Sequence, residues 1–398
     1  MDQFTFTDKS KKIFIGLMLI GVLSIIYGVI DGDISGHRIW TSALINGWFF
    51  FSTALMGTVF IAINSASQSG WIVVLKRVFE AVSMYVPVGA LTLILVFFAS
   101  TMHWNHIYHW MTEGITDPNS PHYDAIIAHK EPYLNLPFWW GRALVMLAVW
   151  TYFTLKYRKK SILEDTEGGT KIYTASMVTS ALFLVFFAYS SVVASWDWLM
   201  SIDAHWFSTL YGWYIFSGMW ISGMVMVFLL THYLMGKGYL KQVNASHIHD
   251  LGKFIFGISF LWTYLFFSQF MLIWYANIPE EVTYYIPRIN DYSYTFWGMV
   301  IVNFIIPMLF LMSKTTKRNR NILAVVSVII FFGHWVDIYF LITPGAMKAD
   351  GTIGIVELGM LLGYLGLFLF VVFRELAKAP LVVKNHPLLN ESEHHHIN

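Results

Sequence analysis

Residues 322–342 read Ile322-Leu-Ala-Val-Val-Ser-Val-Ile-Ile-Phe-Phe-Gly-His-Trp-Val-Asp-Ile-Tyr-Phe-Leu-Ile342. The run is continuously apolar rather than alternating, and at about 1.5 Å per residue it is long enough to cross a hydrocarbon core roughly 30 Å thick. A helix satisfies its own backbone N–H and C=O groups in lipid, whereas barrel strands alternate in polarity, so the segment reads as a transmembrane helix. Nine further stretches have the same character, near residues 12–30, 41–63, 78–101, 136–156, 173–195, 207–235, 251–275, 294–312 and 353–373. Together they predict an all-α integral membrane protein of about ten transmembrane helices.

Composition agrees with that class. Of 398 residues, 57% are apolar and 12% charged, about half the charged fraction of a soluble domain. Cysteine is absent, which excludes disulfides, thiolate zinc sites, iron–sulfur clusters and covalently attached haem in this chain. A net charge of +1 gives no support to nucleic acid as a partner. No phosphate-binding glycine loop, nucleophile elbow or HExxH motif is present, so neither a hydrolytic catalytic residue nor a metal site is assigned.

The basic residues set an orientation. The N-terminal segment, the connections on its side and the C-terminal segment hold 20 of the 25 Lys and Arg, among them Lys9, Lys11, Lys12, Lys76, Arg77, Arg158, Lys237, Lys317 and Arg374. The opposite side keeps Arg38, Lys130, Arg142, Arg288 and Lys348. The positive-inside rule then puts both termini in the cytoplasm, as an even number of spans requires. The first span follows three lysines with no small-residue cleavage site after it, so it reads as a retained helix. A four-helix offset in the aromatic outer segments suggests two four-helix bundles plus two peripheral helices. The corresponding divisions are 1–40 with the first span, 41–205 for spans 2–5, 206–345 for spans 6–9, and 346–398 for the tenth span and a cytoplasmic tail. The tail, with His394, His395 and His396, reads as disordered.

The outer connections are rich in tryptophan, histidine and acids: Trp104–Trp110, Ser195–Trp206 and Ile273–Glu281. Their tryptophans read first as an interfacial belt, and equally as a docking face for a peripheral partner. Charges at membrane depth are costly unless paired or hydrated. His334 and Asp337 lie on one face of the ninth span with no basic residue within a turn, which favours a proton relay or quinone contact over a satisfied core pair. Asp197, Asp203 and His205 would join them around an outer cleft or proton exit. Glu80 with Lys76 and Arg77, together with His232, forms a candidate inner proton path; an ion pair at the cytoplasmic edge explains Glu80 equally well. Arg142 either binds an anionic lipid or pairs with an outer carboxylate, and Glu357 in the tenth span is a candidate of the same kind as the His334–Asp337 pair or, being near the outer end, simply faces water.

Five stretches carry a resemblance: Glu131–Arg142, Ser195–Thr209, His249–Phe256, Phe267–Glu281 and Lys384–His396. They resemble the NrfD or polysulfide-reductase-type membrane subunits of bacterial alternative complex III, over nearly the whole chain. The short inner connections are most similar to the smaller of that complex's two related ten-helix subunits. The resemblance implies a subunit of a quinol:cytochrome c oxidoreductase in the bacterial inner membrane, with menaquinol or ubiquinol as substrate. It implies as partners a sister ten-helix quinol subunit, a periplasmic iron–sulfur subunit and multihaem cytochrome c subunits, with lipids around them. This chain would contribute scaffold, a proton path and a quinol cleft. A purely structural anchor and an independent ion or solute transporter are the alternatives.

Overall fold

The structure, a computed structural model, describes residues 3–32 and 36–397; Met1, Asp2, Asp33–Ser35 and Asn398 lie outside the described residues. Ten long helices follow in order: α1 Asp8–Ile30, α2 His37–Ala66, α3 Val73–Thr101, α4 Leu136–Glu167, α5 Thr170–Trp198, α6 Tyr211–Gly236, α7 Ala245–Ala276, α8 Ser293–Leu311, α9 Arg320–Met347 and α10 Ile355–Ala377. No strand occurs among the described residues. Nine of these helices are long and apolar enough to cross a membrane. In α4, Trp139, Trp140, Arg142, Trp150 and Tyr152 dilute the apolar stretch, and its last turns carry Lys156–Lys160 and Glu164–Glu167. The chain is therefore an all-α, multi-pass membrane protein.

Helix ends overrun the apolar runs because a helix that leaves lipid keeps its backbone hydrogen bonds. Asn135, Asn244 and Asn319 accept from the first free N–H groups of α4, α7 and α9, which satisfies donors that a helix cannot pair internally. Within α3 the helix breaks at Met84 and Tyr85, just before Pro87, whose ring removes a donor and crowds the preceding turn.

α2 is apolar around its whole circumference and is buried on every side from Thr41 to Ala62, as such a helix has to be unless it faces lipid. It packs against α3, α5, α6, α9 and α10. The buried side chains of these helices form one continuous core among the described residues, in which α2 packs directly on α6 and α9, and α5 on α6. Trp335 of α9 donates to Asn46 of α2 at 2.9 Å within it. α1 packs chiefly against α10. There a Cβ on Gly21 would come within 2.7 Å of the Gly363 Cα, so the two backbones touch through small residues, the usual device where lipid offers no hydrophobic drive for association.

Both described chain ends lie at one end of the molecule, here the terminal end, since Gln3 donates to the Ala377 carbonyl. The opposite, loop end carries the long connections 102–135 and 277–292. Its tryptophans differ from the expected belt. Trp104 and Trp274 are exposed, but Trp110, Trp198 and Trp206 are buried. Trp198 sits edge-on to Trp48 and Trp150 with ring centroids 5.7 and 5.9 Å away, and Trp206 stacks on Tyr284 at 3.8 Å. The loops fold back as a cap over the helix ends, which turns interfacial aromatics into core.

Candidate functional site

Seven carboxylates are buried among the described residues: Glu80, Glu164, Asp197, Asp250, Asp337, Glu357 and Glu375. Six face a cation. Glu80 accepts from Arg158 at 2.8 Å, Glu164 from Lys76 at 2.8 Å, Asp250 from Lys253 at 2.5 Å, and Glu375 from Lys378. Asp197 is held by Arg142 through Nε at 2.6 Å and Nη2 at 3.0 Å, and Glu357 by Arg38 at 2.6 and 2.7 Å. Glu357 thus faces its partner rather than water, and Arg142 pairs with a carboxylate.

Asp337 differs from the other six. One of its oxygens accepts from the Tyr214 hydroxyl of α6 and the other from Trp262 Nε1 of α7 at 2.9 Å. The nearest basic group is His334, one turn earlier, whose Nδ1 is 3.6 Å away. Both residues are almost completely buried, 1% and 2% exposed, and neither His334 ring nitrogen has a hydrogen-bond partner among the described residues. The Trp262 ring meets the imidazole edge-on at 5.5 Å. Gly218 closes the fourth side: a Cβ there would lie 3.6 Å from both His334 and Asp337. On α8 the helix widens into a π turn over Ile301–Ile305, a local irregularity often met at functional sites. From it Asn303 donates to the Gly333 carbonyl at 3.1 Å. No Lys or Arg bonds to either member of this pair among the described residues.

Toward the loop end the surroundings stay polar. Arg288, fully buried, donates to the Leu341 carbonyl at 3.0 Å and to Asp203 at 2.8 Å. Leu341 is about one turn beyond Asp337, about 6 Å along the axis. Tyr284 lies under the Arg288 guanidinium at 3.5 Å and against Tyr285 at 5.2 Å, and burial pushes both phenols above their ordinary range. Asp203 ends this series with a partly exposed side chain.

No family model matches the chain, and no curated protein matches it either.

Of the residues singled out in the sequence, His334 and Asp337 therefore meet, while Asp203 sits about two turns farther along α9, where a Cβ on Gly345 would lie 2.8 Å from its carboxylate. Asp197 lies apart, fully buried under Arg142, and Arg142 in turn sits over the rings of Tyr133 and Phe138 at 4.0 and 4.2 Å. His205 lies at the surface, 2.6 Å from Asp124. Burial alone would raise the Asp124 carboxyl, but the N–H groups of Ile127 and Ile126 and the His205 ring outweigh it and hold it below the usual range. Tyr214, Trp262, Asn303 and Arg288 were not anticipated. No local spacing marks them, because each reaches the site from another helix or loop.

The inner candidates also divide. Lys76, Arg77 and Glu80 join a charge-balanced network with Arg158, Glu164 and Asp165, Arg77 reaching Asp165 at 2.8 Å and standing 3.8 Å from Glu80. His232 is not in it; its ring packs on Phe228 of the same helix.

The tail, expected to be disordered, docks on this end. Lys384 N–H bonds to Asp165 at 2.9 Å, and Ser392 accepts from the Val74 N–H and donates to the Trp71 carbonyl. His395 is 2.6 Å from Asp250 of α7, and the Ile397 N–H meets Ser246 at 3.0 Å. Partners distant in sequence, Trp71, Val74, Asp165, Ser246 and Asp250, hold this polar segment in place. His386 is enclosed beside Lys76 and Glu164, and burial, then the Lys76 charge, pushes its imidazole down to about 3 from 6.5. Between those values a released tail binds a proton that the docked one does not, so docking weakens as pH falls below 6.5. Hydrogen exchange across residues 384–393 is expected to accelerate, after correction for intrinsic rates, on going from about pH 7.5 to about pH 5. Equal protection at both would count against this account.

Proposed function

We propose that the chain is an integral subunit of a respiratory quinol:cytochrome c oxidoreductase whose helix α9 carries an exchangeable proton on His334 and Asp337. One observation carries the reading: Asp337 is the buried carboxylate that faces no Lys or Arg among the described residues. A carboxyl and an imidazole this close are suited to receive and pass on a proton. Tyr214, Tyr284, Tyr285 and the Arg288–Asp203 pair supply polar surroundings from that pocket toward the loop end. The 20-to-5 distribution of basic residues supports placing the terminal end in the cytoplasm of a bacterial inner membrane.

Oxidation of a quinol releases two electrons and two protons. The electrons would pass to iron–sulfur and haem c groups of partner subunits, since this chain has no cysteine to hold them. A proton role is favoured over a quinol headgroup contact because both Asp337 oxygens are engaged by Tyr214 and Trp262. The adjoining groove, about 580 Å³ between α8 and α9, is lined by their neighbours Gly333 and Val336 and is almost wholly apolar. It suits an isoprenoid tail and offers a headgroup no charged partner. Arg142 and Asp197 join two of the stretches that carry the resemblance, which gives those stretches a structural part as well.

The test is to extract the protein from its native membrane in mild detergent and record the chains, haems and quinones that accompany it. Co-migration with cytochrome c and iron–sulfur subunits and with quinol:cytochrome c reductase activity is the expected result. A chain that emerges alone, colourless and quinone-free, where other complexes survive, overturns the assignment.

A further inference from the structure

A second cleft opens at the terminal end, between the α1–α10 pair and helices α6 and α9. Its volume is about 630 Å³, and four helices and the N-terminal segment before α1 line it. Two of the helices, α6 and α1, contribute a polarity gradient in the same direction, while the lining from α9 and α10 is wholly apolar. On α6 the lining runs from Met226 through Leu230 and Tyr233 to Lys237, and on α1 from Phe14 through Ser10 to Lys9. The deepest wall is Val328, Phe331, Leu365 and Leu369. From Met226 to Lys237 is about 16 Å along a helix axis, so the cleft is apolar at depth and basic at its mouth over the length of an acyl chain's inner half.

The two cations at the mouth are uncompensated. Lys237 stands over the Tyr233 ring at 5.8 Å, and neither it nor Lys9 pairs with a carboxylate among the described residues. The nearest acid on α1, Asp8, is bonded to Lys11 at 2.9 Å. We infer that this cleft is a binding site for one anionic phospholipid, its phosphate between Lys9 and Lys237 and one acyl chain against Phe14, Phe331 and Leu369. A neutral amphiphile such as a quinol has no use for the two positive charges, whereas basic pockets between transmembrane helices suit anionic headgroups. The occupant would also fill the gap that α1 leaves by touching α10 and standing off α6 and α9.

The experiment uses the protein in the assembly in which it leaves the membrane, exchanged into mild detergent, with bound amphiphiles identified by native mass spectrometry. Phosphatidylglycerol and phosphatidylcholine are then offered in mixed micelles. Wild type is expected to retain one phosphatidylglycerol in preference to phosphatidylcholine. K9Q/K237Q, which alters only exposed side chains, should retain it about 30-fold less well, from the loss of two lysines near an anionic headgroup. L230W keeps both lysines but fills the cleft, and should lose the lipid as well. Equal retention of the two lipids, retention unchanged in both variants, or a quinone in place of the phospholipid would overturn the inference.

Discussion

Replacing Asp337 by Asn is expected to lower proton-coupled turnover of the assembled complex about 100-fold, the scale of losing a positioned acid–base group. The substitution keeps the shape of the side chain, and an amide oxygen can still accept from Tyr214. What disappears is the carboxyl 3.6 Å from His334, the group to which the proposed function gives the exchangeable proton. The lost acceptor for Trp262 costs about 1 kcal/mol, too little to unfold ten packed helices. Proton movement would be followed with a pH-sensitive dye in reconstituted vesicles, and quinol oxidation by absorbance in the same preparation. Tyr214→Phe, which removes one donor and keeps the titratable pair, should lose much less. A fully assembled Asp337→Asn complex with wild-type turnover would reduce the pair to a packing element.

Arg142→Leu should destabilise the folded chain by about 3–5 kcal/mol, because it strands a buried carboxylate without its cation. Asp197 is fully buried and both its oxygens are taken by the Arg142 guanidinium. Adding Asp197→Leu to Arg142→Leu removes the stranded charge, so the double variant should regain most of the loss; a buried ion pair replaced whole by apolar groups is often near neutral. Thermal unfolding in detergent of the two single variants and the double variant measures this. Additive losses would mean that the two side chains act independently.

The long helices were legible because lipid imposes a length and a continuous apolar run that no soluble helix needs: each of the ten runs is helical in the structure, and nine are long and apolar enough to cross a membrane. The ends were less so: α4 continues to Glu167, eleven residues past its apolar run, since charged residues outside lipid remain good helix formers. His334 and Asp337 could be found from spacing, being one turn apart on one helix. Their partners on α6, α7 and α8 could not, because contacts between helices leave no periodic trace. Asp197, Asp203 and His205 looked like one group through nearness in sequence. The chain ends α5 at Trp198 and makes a tight turn over Met200–Asp203, which sends Asp197 inward to Arg142, Asp203 to Arg288, and His205 to the surface.

The docked tail ties together parts of the chain far apart in sequence. Residues 384–397 touch Asp165 of α4 and Ser246 and Asp250 of α7, and Ser392 covers the Trp71 carbonyl and the Val74 N–H. The tail is thus a clasp: lifting it would uncover polar groups on three separate segments at once, so its contacts stand or fall together.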